Sequence, residues 1–589
     1  MKLISNKSLL FTSLILLPVN IMMMFFPLVN ILGYESSVIN GILFFLLVGF
    51  RAISFSSNNI ISAQDYGNHF RHNITFVLIM LLIPLILGIF STILFSECPL
   101  SDGILFYLVI AIPNILFGYT IGLFISQLIK RFRYITFVAI FFLILLIPLI
   151  EFYFHPQVYF YNLIIGFFPG TIYDEDMTVD GLLLSYRILQ LAFFIALLFI
   201  SHRIFSRSIK KSVSLIIVIA TVIVFFFIKP FLNYSTDLNR LEKSLKGKIH
   251  TEHFEILYSS SIDNNAALYL AQLHEYYFEQ VIQNLGIGFN EKIISIVFRD
   301  ENEKRKLIGA GRADIAKPWL RQIFLNYPTF DETLKHEIVH VVAGKFGTTP
   351  FKVAENLNPA MIEGIAMAIE NDYDGFTVHQ MAKMAFNSGY KISIERLFSG
   401  LNFFSNYSSI SYIYAGSFIK YLSDTYGVAK LKQLYSDIDF YKYYEKDLSK
   451  LEEEYKLFLK NIVVEQNINT AQLYFGGKTI FKKHCARTAA YKTKKAIYLF
   501  QSGKYTEAEA SFHNVYKYSG SYQALNGLLN SSIKLKKYNS AERYFSSEKN
   551  KFMGSPYKYN MELLLGDLYV LNDKIDSAKF YYDSLIVQN

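Results

Sequence analysis

The residues with the clearest chemical potential lie past the middle of the chain, in TFDETLKHEIVHVVAGKFG, residues 329–347. His336, Glu337 and His340 there form H-E-x-x-H. On a helix, residues four apart share a face, so both imidazoles can reach one ion. Glu337 sits about 100° round from His336, close enough to meet water at that ion without being a ligand. Two neutral imidazoles beside a carboxylate base are what zinc-assisted hydrolysis asks for. The spacing predicts a helix. Thr329 with Glu332, or Asp331 alone, supplies its N-terminal cap. Leu334, Ile338, Val341 and Val342 supply its buried face, and Gly344 or Gly347 ends it.

Two histidines alone are also what a helix with surface imidazoles would show, so a third ligand decides between the readings. Asn358–Pro359 opens a second helix, with Asn as cap and Pro in the first turn, and AMIEGIAMAIE follows. A glutamate on such a helix completes a His₂Glu zinc set. Glu363, 23 positions beyond His340, is the candidate. Gly364 permits close helix approach. Glu370, two turns on and on the same face, could orient a ligand imidazole from behind.

TLKHEIVH followed by P-x-x-I-E-G-x-A-x-x-x-E resembles the gluzincin metallopeptidases, and most closely the peptidase MA-like domains related to aminopeptidase N. The likeness runs from about residue 250 to 430. It implies a Zn²⁺ peptidase acting on a peptide or protein, with His336, His340 and Glu363 as ligands and Glu337 as the base that takes a proton from water at the ion. In such enzymes a tyrosine on a later helix stabilises the oxyanion. YSSISYIYAGSFIKYLSDTYG resembles that helix, with Tyr412 at the matching position and Tyr414 as its rival. Aminopeptidases of the superfamily carry G-x-M-E-N, whose glutamate holds the substrate's free amine. The corresponding stretch here, GAGRADIAKPWLRQIFLN, has no acidic residue in place, so endopeptidase and aminopeptidase both stay open. An intramembrane protease is excluded. The motif lies about 100 residues beyond the last apolar run, among Asp331, Glu332, Lys335 and Lys345.

The elements that must carry this motif fall into unlike halves. The chain has 589 residues, 52% hydrophobic and 18% charged. Residues 1–233 are roughly 9% charged and the remainder roughly 23%, so a membrane half joins an ordinary water-soluble half. Seven apolar runs, near 9–32, 37–55, 74–96, 104–128, 134–154, 182–202 and 212–233, reach spanning length. With an inward N-terminus, Lys2, Lys7, Arg51, Arg71, Lys130, Arg131, Arg133, Arg203, Arg207, Lys210 and Lys211 are cytoplasmic. The external loops carry only Glu35, Glu97, Asp102, Asp174, Glu175, Asp176 and Asp180. That asymmetry places residues 234–589 outside, in the periplasm or extracellular space of a bacterial inner membrane. The first run is too long for a cleaved signal and reads as a retained anchor. The net charge of +9 needs no nucleic acid, since part of it is this loop charge and no basic stripe interleaved with aromatics follows.

Three further features of the first half stand out. Tyr159–Gly170 is apolar but too short to span. It is either a re-entrant turn covered by protein or an aromatic segment lying on the surface. Arg187, inside the sixth run, is either a functional intramembrane charge or one that snorkels outward. GYTIGLFISQLIKRF and the helix count loosely resemble permease subunits of ABC exporters. Cys98 and Cys485 both fall outside the membrane, where a disulfide is permitted without being required.

In the outer half, His253–Tyr258, Ile293–Phe298 and Arg321–Asn326 read as strands and Ala266–Leu285 as a helix stopped by Gly286. LFQSGKYTEAEASF, IKLKKYNSAERYF and YVLNDKIDSAKFYY share a template with Ala508, Ala541 and Ala578 followed by Phe512, Phe545 and Tyr582. This resembles tetratricopeptide repeats, which implies a surface for a protein partner or a cap on the catalytic domain. The expected fold class is multidomain. An all-α polytopic membrane domain (1–233) is followed by an α+β gluzincin-like zinc peptidase domain (234–475) and C-terminal α-helical repeats (488–589). The principal alternative is a transporter or export component whose outer domain binds peptides or partners without cleaving them.

Overall fold

The computed structural model describes residues 6–58, 63–96, 98–168, 170, 176–464, 468–483, 485–552 and 557–588. Of the loop charges counted above, Lys2, Glu97, Asp174 and Glu175 lie outside the described residues, as do Pro169 and the side chains of Lys7 and Arg71. The chain forms two compact units. One comprises residues 1–237, 481–495 and 517–519, the other 238–480, 496–516 and 520–589.

Among the described residues, six helices of the first unit are long and apolar enough to cross a membrane: Tyr34–Ser54, Phe76–Phe95, Leu100–Leu128, Arg133–Phe154, Gly181–Phe205 and Lys211–Ile228. The first apolar run, expected as a span over 9–32, lies on helix Asn6–Met23, whose part Phe11–Met23 is a shorter apolar stretch. The chain turns out of it ahead of Pro27, and Leu28 takes a positive φ. Small residues let the helices containing Phe45 and Gly118 touch. A Cβ on Gly118 would lie 2.3 Å from the Phe45 carbonyl oxygen, and one on Gly122 2.6 Å from that of Gly49.

Tyr159–Gly170 is not a surface-lying segment. It contains a hairpin of strands β1 (Phe160–Asn162) and β2 (Gly166–Phe168), buried along β1 and at Gly166 and emerging at Phe168. Away from water its turn needs internal hydrogen-bond donors. Arg187 Nη1 and Gln190 Nε2 donate to the Leu163 carbonyl at 3.0 and 2.6 Å, and Asn114 Nδ2 donates to that of Ile164 at 2.8 Å. Arg187 therefore does not snorkel. It is 2% exposed and acts as the hairpin's clasp.

The second unit is built on a five-stranded sheet. Its strands are β3 (Lys246–His250), β4 (Phe254–Ser259), β5 (Ile293–Phe298), β6 (Ile315–Lys317) and β7 (Gln322–Asn326), in the order β3-β4-β5-β7-β6. The pairs β4–β5 and β5–β7 are parallel, and the two edge strands run antiparallel to their neighbours. Helix Asn264–Leu285 is capped by Asp263, which accepts from the backbone N–H groups of Asn265 and Ala266, and ends at Gly286 with φ 55°. Its Leu270, Phe278, Val281 and Leu285 join the core that also buries Val297, Ile323 and Leu325 of the sheet.

Helices Pro359–Glu370 and Ser408–Tyr426 cross where both sequences have glycine. A Cβ on Gly364 would sit 3.1 Å from the Ala415 oxygen, and one on Gly416 2.4 Å from the Met367 Cβ. In the C-terminal region the repeat template falls on three consecutive helix pairs between Ala486 and Gln588. Ala508, Ala541 and Ala578 are buried at the helix contacts, while Phe512 and Tyr582 lie over Gly527 and Gly566.

The glycine crossing yields a test. Gly364→Val must push the two helices apart and should cost about 1–3 kcal/mol, the usual penalty for overpacking. The single tryptophan, Trp319, lies in this unit, so its fluorescence during denaturation of the full-length protein in detergent reads the loss. An unchanged midpoint would refute the tight crossing.

Candidate metal centre

The helix bearing H-E-x-x-H runs from Phe330 to Ala343, directly after β7 and a short 3-10 turn, Tyr327–Thr329. Asp331 and Glu332 occupy its first turn, where negative charge suits the helix dipole. The expected side-chain cap is not made. Thr329 stands at the cap position, but its side chain forms no capping bond because the chain enters the helix through the 3-10 turn. Leu334, Ile338, Val341 and Val342 are buried as the spacing predicted, and Gly344 closes the helix.

The second helix, Pro359–Glu370, is opened by Asn358, whose Oδ1 accepts from the Met361 N–H at 3.1 Å while its Nδ2 donates to the Phe398 carbonyl at 2.8 Å. The cap thus also fixes where the helix points. Glu363 Oε2 lies 3.3 Å from His336 Nε2 and 3.5 Å from His340 Nε2. All three ligand atoms fall within 4.8 Å of one another. Two ligand atoms about 2.0–2.1 Å from one tetrahedral zinc are roughly 3.3–3.4 Å apart. The two carboxylate–imidazole edges match that value, and the donor set of two imidazoles and a carboxylate fits zinc. Behind this triangle, Glu370 Oε2 lies 3.0 Å from His336 Nδ1, so both ring nitrogens of His336 face a carboxylate.

The electrostatics favour a cation at this point. Burial alone would lower the His336 pKa, but Glu363 and Glu370 hold it well above the usual imidazole range. Burial would likewise raise the Glu363 carboxyl, yet the His340 charge and the hydrogen bonds from both histidines bring it far below the usual carboxylate range. Carboxylates that stabilise a proton here stabilise a metal ion by the same attraction. Glu337 has the opposite surroundings. It is 6% exposed, and burial pushes its carboxyl up to about 7 despite the neighbouring histidines. Its Oε2 finds no hydrogen-bond partner among the described residues.

The two tyrosines go separate ways. The half-buried Tyr412 ring lies 6.5 Å from the His336 ring, nearly parallel to it, with Phe403 packed at 5.3 Å. Tyr414 points into the core and donates to the Tyr390 carbonyl at 2.9 Å.

One group escaped the sequence reading. Asp314, the single acid in GAGRADIAKPWLRQIFLN, is turned inward. It pairs with the buried Lys304, accepts from the Thr333 hydroxyl at 2.6 Å and accepts from the Asn326 N–H at 3.1 Å. Thr333 lies one helical turn before Glu337, so Asp314 ties β7 and the loop before β6 to the first turn of the motif helix.

Residues 326–461 match the model of the Peptidase MA superfamily. This segment is a Peptidase MA superfamily domain. It begins at the last residue of β7 and ends with the helix Leu448–Asn461, and so contains the motif helix, the Glu363 helix and the Tyr412 helix. No curated protein matches the chain. The Peptidase MA domain marks the chain as bearing a peptidase-type fold beside several membrane-length helices, and the superfamily is commonly metal-dependent.

The inward acid of this domain carries a prediction. Lys304 and Asp314 side chains are 0% and 3% exposed, so Asp314→Ala removes the carboxylate that faces a buried ammonium and should cost about 3–5 kcal/mol. The joint replacement Lys304→Met with Asp314→Leu should cost clearly less. Equal losses in the single and double variants, read by Trp319 fluorescence, would show that the pair is not coupled.

Proposed function

We propose that the protein is a membrane-anchored zinc-dependent metallopeptidase of gluzincin type, hydrolysing peptide bonds outside the cytoplasm. The observation that carries this reading is the convergence of His336, His340 and Glu363 beside the buried carboxylate of Glu337, whose Oε2 has no hydrogen-bond partner among the described residues. His336 and His340, with ionised Glu363, would hold the ion, and Glu370 keeps the His336 ring turned toward it. Zinc, when bound, supplies a Lewis acid that polarises the scissile carbonyl and lowers the pKa of water.

The remaining steps belong to the chain's own groups. Glu337, whose burial makes its carboxylate more basic than usual, accepts the proton of the attacking water and hands it to the leaving amine. The Tyr412 hydroxyl donates to the oxygen on which negative charge grows. The run of acidic external and basic cytoplasmic loops supports an inward N-terminus and an outward residue 234–589 segment, in a bacterial inner membrane. The packing of Ala508, Ala541 and Ala578 against neighbouring helices supports the tetratricopeptide-like reading of the C-terminal region, as a peptide-binding or capping module.

Two experiments test the roles. Glu337→Gln keeps the ligands, so metal analysis should find zinc retained while peptide hydrolysis falls by about 10²–10⁴-fold. Hydrolysis surviving with zinc bound would refute the assignment. Tyr412→Phe should lower kcat by roughly 10²–10³-fold with little change in KM. Tyr414→Phe should leave kcat alone and lose about 1 kcal/mol of stability with its hydrogen bond. The reverse pattern would move the oxyanion role to Tyr414.

A further inference from the structure

One polar surface of the membrane unit plays no part in the peptidase chemistry. Glu35 lies in the first turn of helix Tyr34–Asn58, Asp102 in the first turn of Leu100–Phe106, and Asp176 just ahead of Gly181–Phe205. These acids are far apart in sequence, yet all three meet one short stretch, residues 481–495, which packs within the same unit. Its helix opens ARTAAYKTKK, with four basic residues beyond Ala486 and no acid. Arg487 Nε donates to Glu35 Oε1 at 2.9 Å, Lys492 Nζ lies 3.1 Å from Asp102 Oδ2, and Lys494 Nζ lies 3.9 Å from Asp176 Oδ2. One residue ahead of the helix, Cys485 is joined to Cys98, with their Cα atoms 5.5 Å apart.

A single exposed ion pair contributes little. Three acids from three separate helix starts facing three bases on one segment are different, because complementarity of that kind sets orientation and suppresses wrong partners. It also raises the local concentration of one thiol at the other. Since one helix touches all three acids, these helix starts share one face of the unit.

We propose that this acidic rim is a docking surface for the chain's own basic segment 481–495. Charge pairing brings the Cys98 and Cys485 thiols together, and a disulfide-bearing oxidant then locks them. One protein thiolate attacks a sulfur of the oxidant to give a mixed disulfide, and the second displaces it. The oxidant's S–S bond breaks as the new one forms, the two cysteines lose two electrons and two protons, and the oxidant is reduced to two thiol groups. Such a bond persists in an oxidising compartment, so the rim faces away from the cytosol. None of this rests on the zinc chemistry.

The test uses the full-length protein in native membranes, with free thiols counted by the gel shift of a maleimide–polyethylene glycol. Untreated wild type should show both cysteines blocked until a reductant is added. After reduction and exposure to oxidised glutathione, Arg487→Glu with Lys492→Glu and Lys494→Glu should re-form the bond about tenfold more slowly than wild type, as expected when electrostatic guidance is reversed. Adding Glu35→Lys, Asp102→Lys and Asp176→Lys, which restores opposite signs, should bring the rate back. Free thiols in untreated wild type would overturn the proposal. So would wild-type re-oxidation in the triple reversal, or failure of the swapped set to recover while the protein keeps its native resistance to proteolysis.

Discussion

A carboxylate, two imidazoles and two helices have to meet at one point in the Peptidase MA domain, and the meeting is held from several sides. Glu363 is brought to the histidines by the Asn358 cap below it and by the glycine crossing of its helix with Ser408–Tyr426. The motif helix is held in turn by its run-on from β7 and by the Asp314 clasp on Thr333. A buried carboxylate is costly unless cations and hydrogen bonds surround it. At Glu363 they do, whereas at Glu337 one oxygen has no hydrogen-bond partner among the described residues. Two glutamates of identical chemistry thus meet opposite electrostatic surroundings, one held far below the usual carboxylate range and the other raised by burial.

The membrane unit obeys the same rule in a harsher solvent. A hairpin inside an apolar bundle exposes turn carbonyls that no water can satisfy. Arg187, Gln190 and Asn114 reach them from two spans, and Asn162 secures the turn by donating to the Ile144 carbonyl at 2.8 Å. The junction after the last span is equally bound. Lys229 pairs with Glu151, Tyr234 shares a hydrogen bond of 2.8 Å with Ser185, and Tyr159 one of 3.2 Å with Thr236. Residues 229–236 are therefore part of the bundle and form no loose tether.

Much of this was legible before any coordinates. The motif helix, the Glu363 helix, strands β4, β5 and β7 and helix Asn264–Leu285 each carry a long or strongly patterned signal, and periodicity or caps reported them. What stayed hidden had no local signature. Strand β3 is LysGlyLysIleHis with little apolar content, and β6 is three residues long. The inward turn of Asp314 depends on a lysine ten residues earlier and a threonine nineteen later. Arg187 looked like a snorkelling residue because its partners are backbone carbonyls, which every sequence possesses. The choice between Tyr412 and Tyr414 rested on a matching position in the family. The structure adds that the Tyr414 hydroxyl is occupied by the Tyr390 carbonyl.

The bond between Cys98 and Cys485 closes a loop of 387 residues. A ribosome adding about 5–20 residues each second needs roughly 20–80 s to pass from one cysteine to the other. For all that time the earlier thiol has emerged with no mate. The order of biogenesis follows: the later membrane helices and the whole Peptidase MA domain are made before the covalent link can close, so the bond cannot guide those stages of folding.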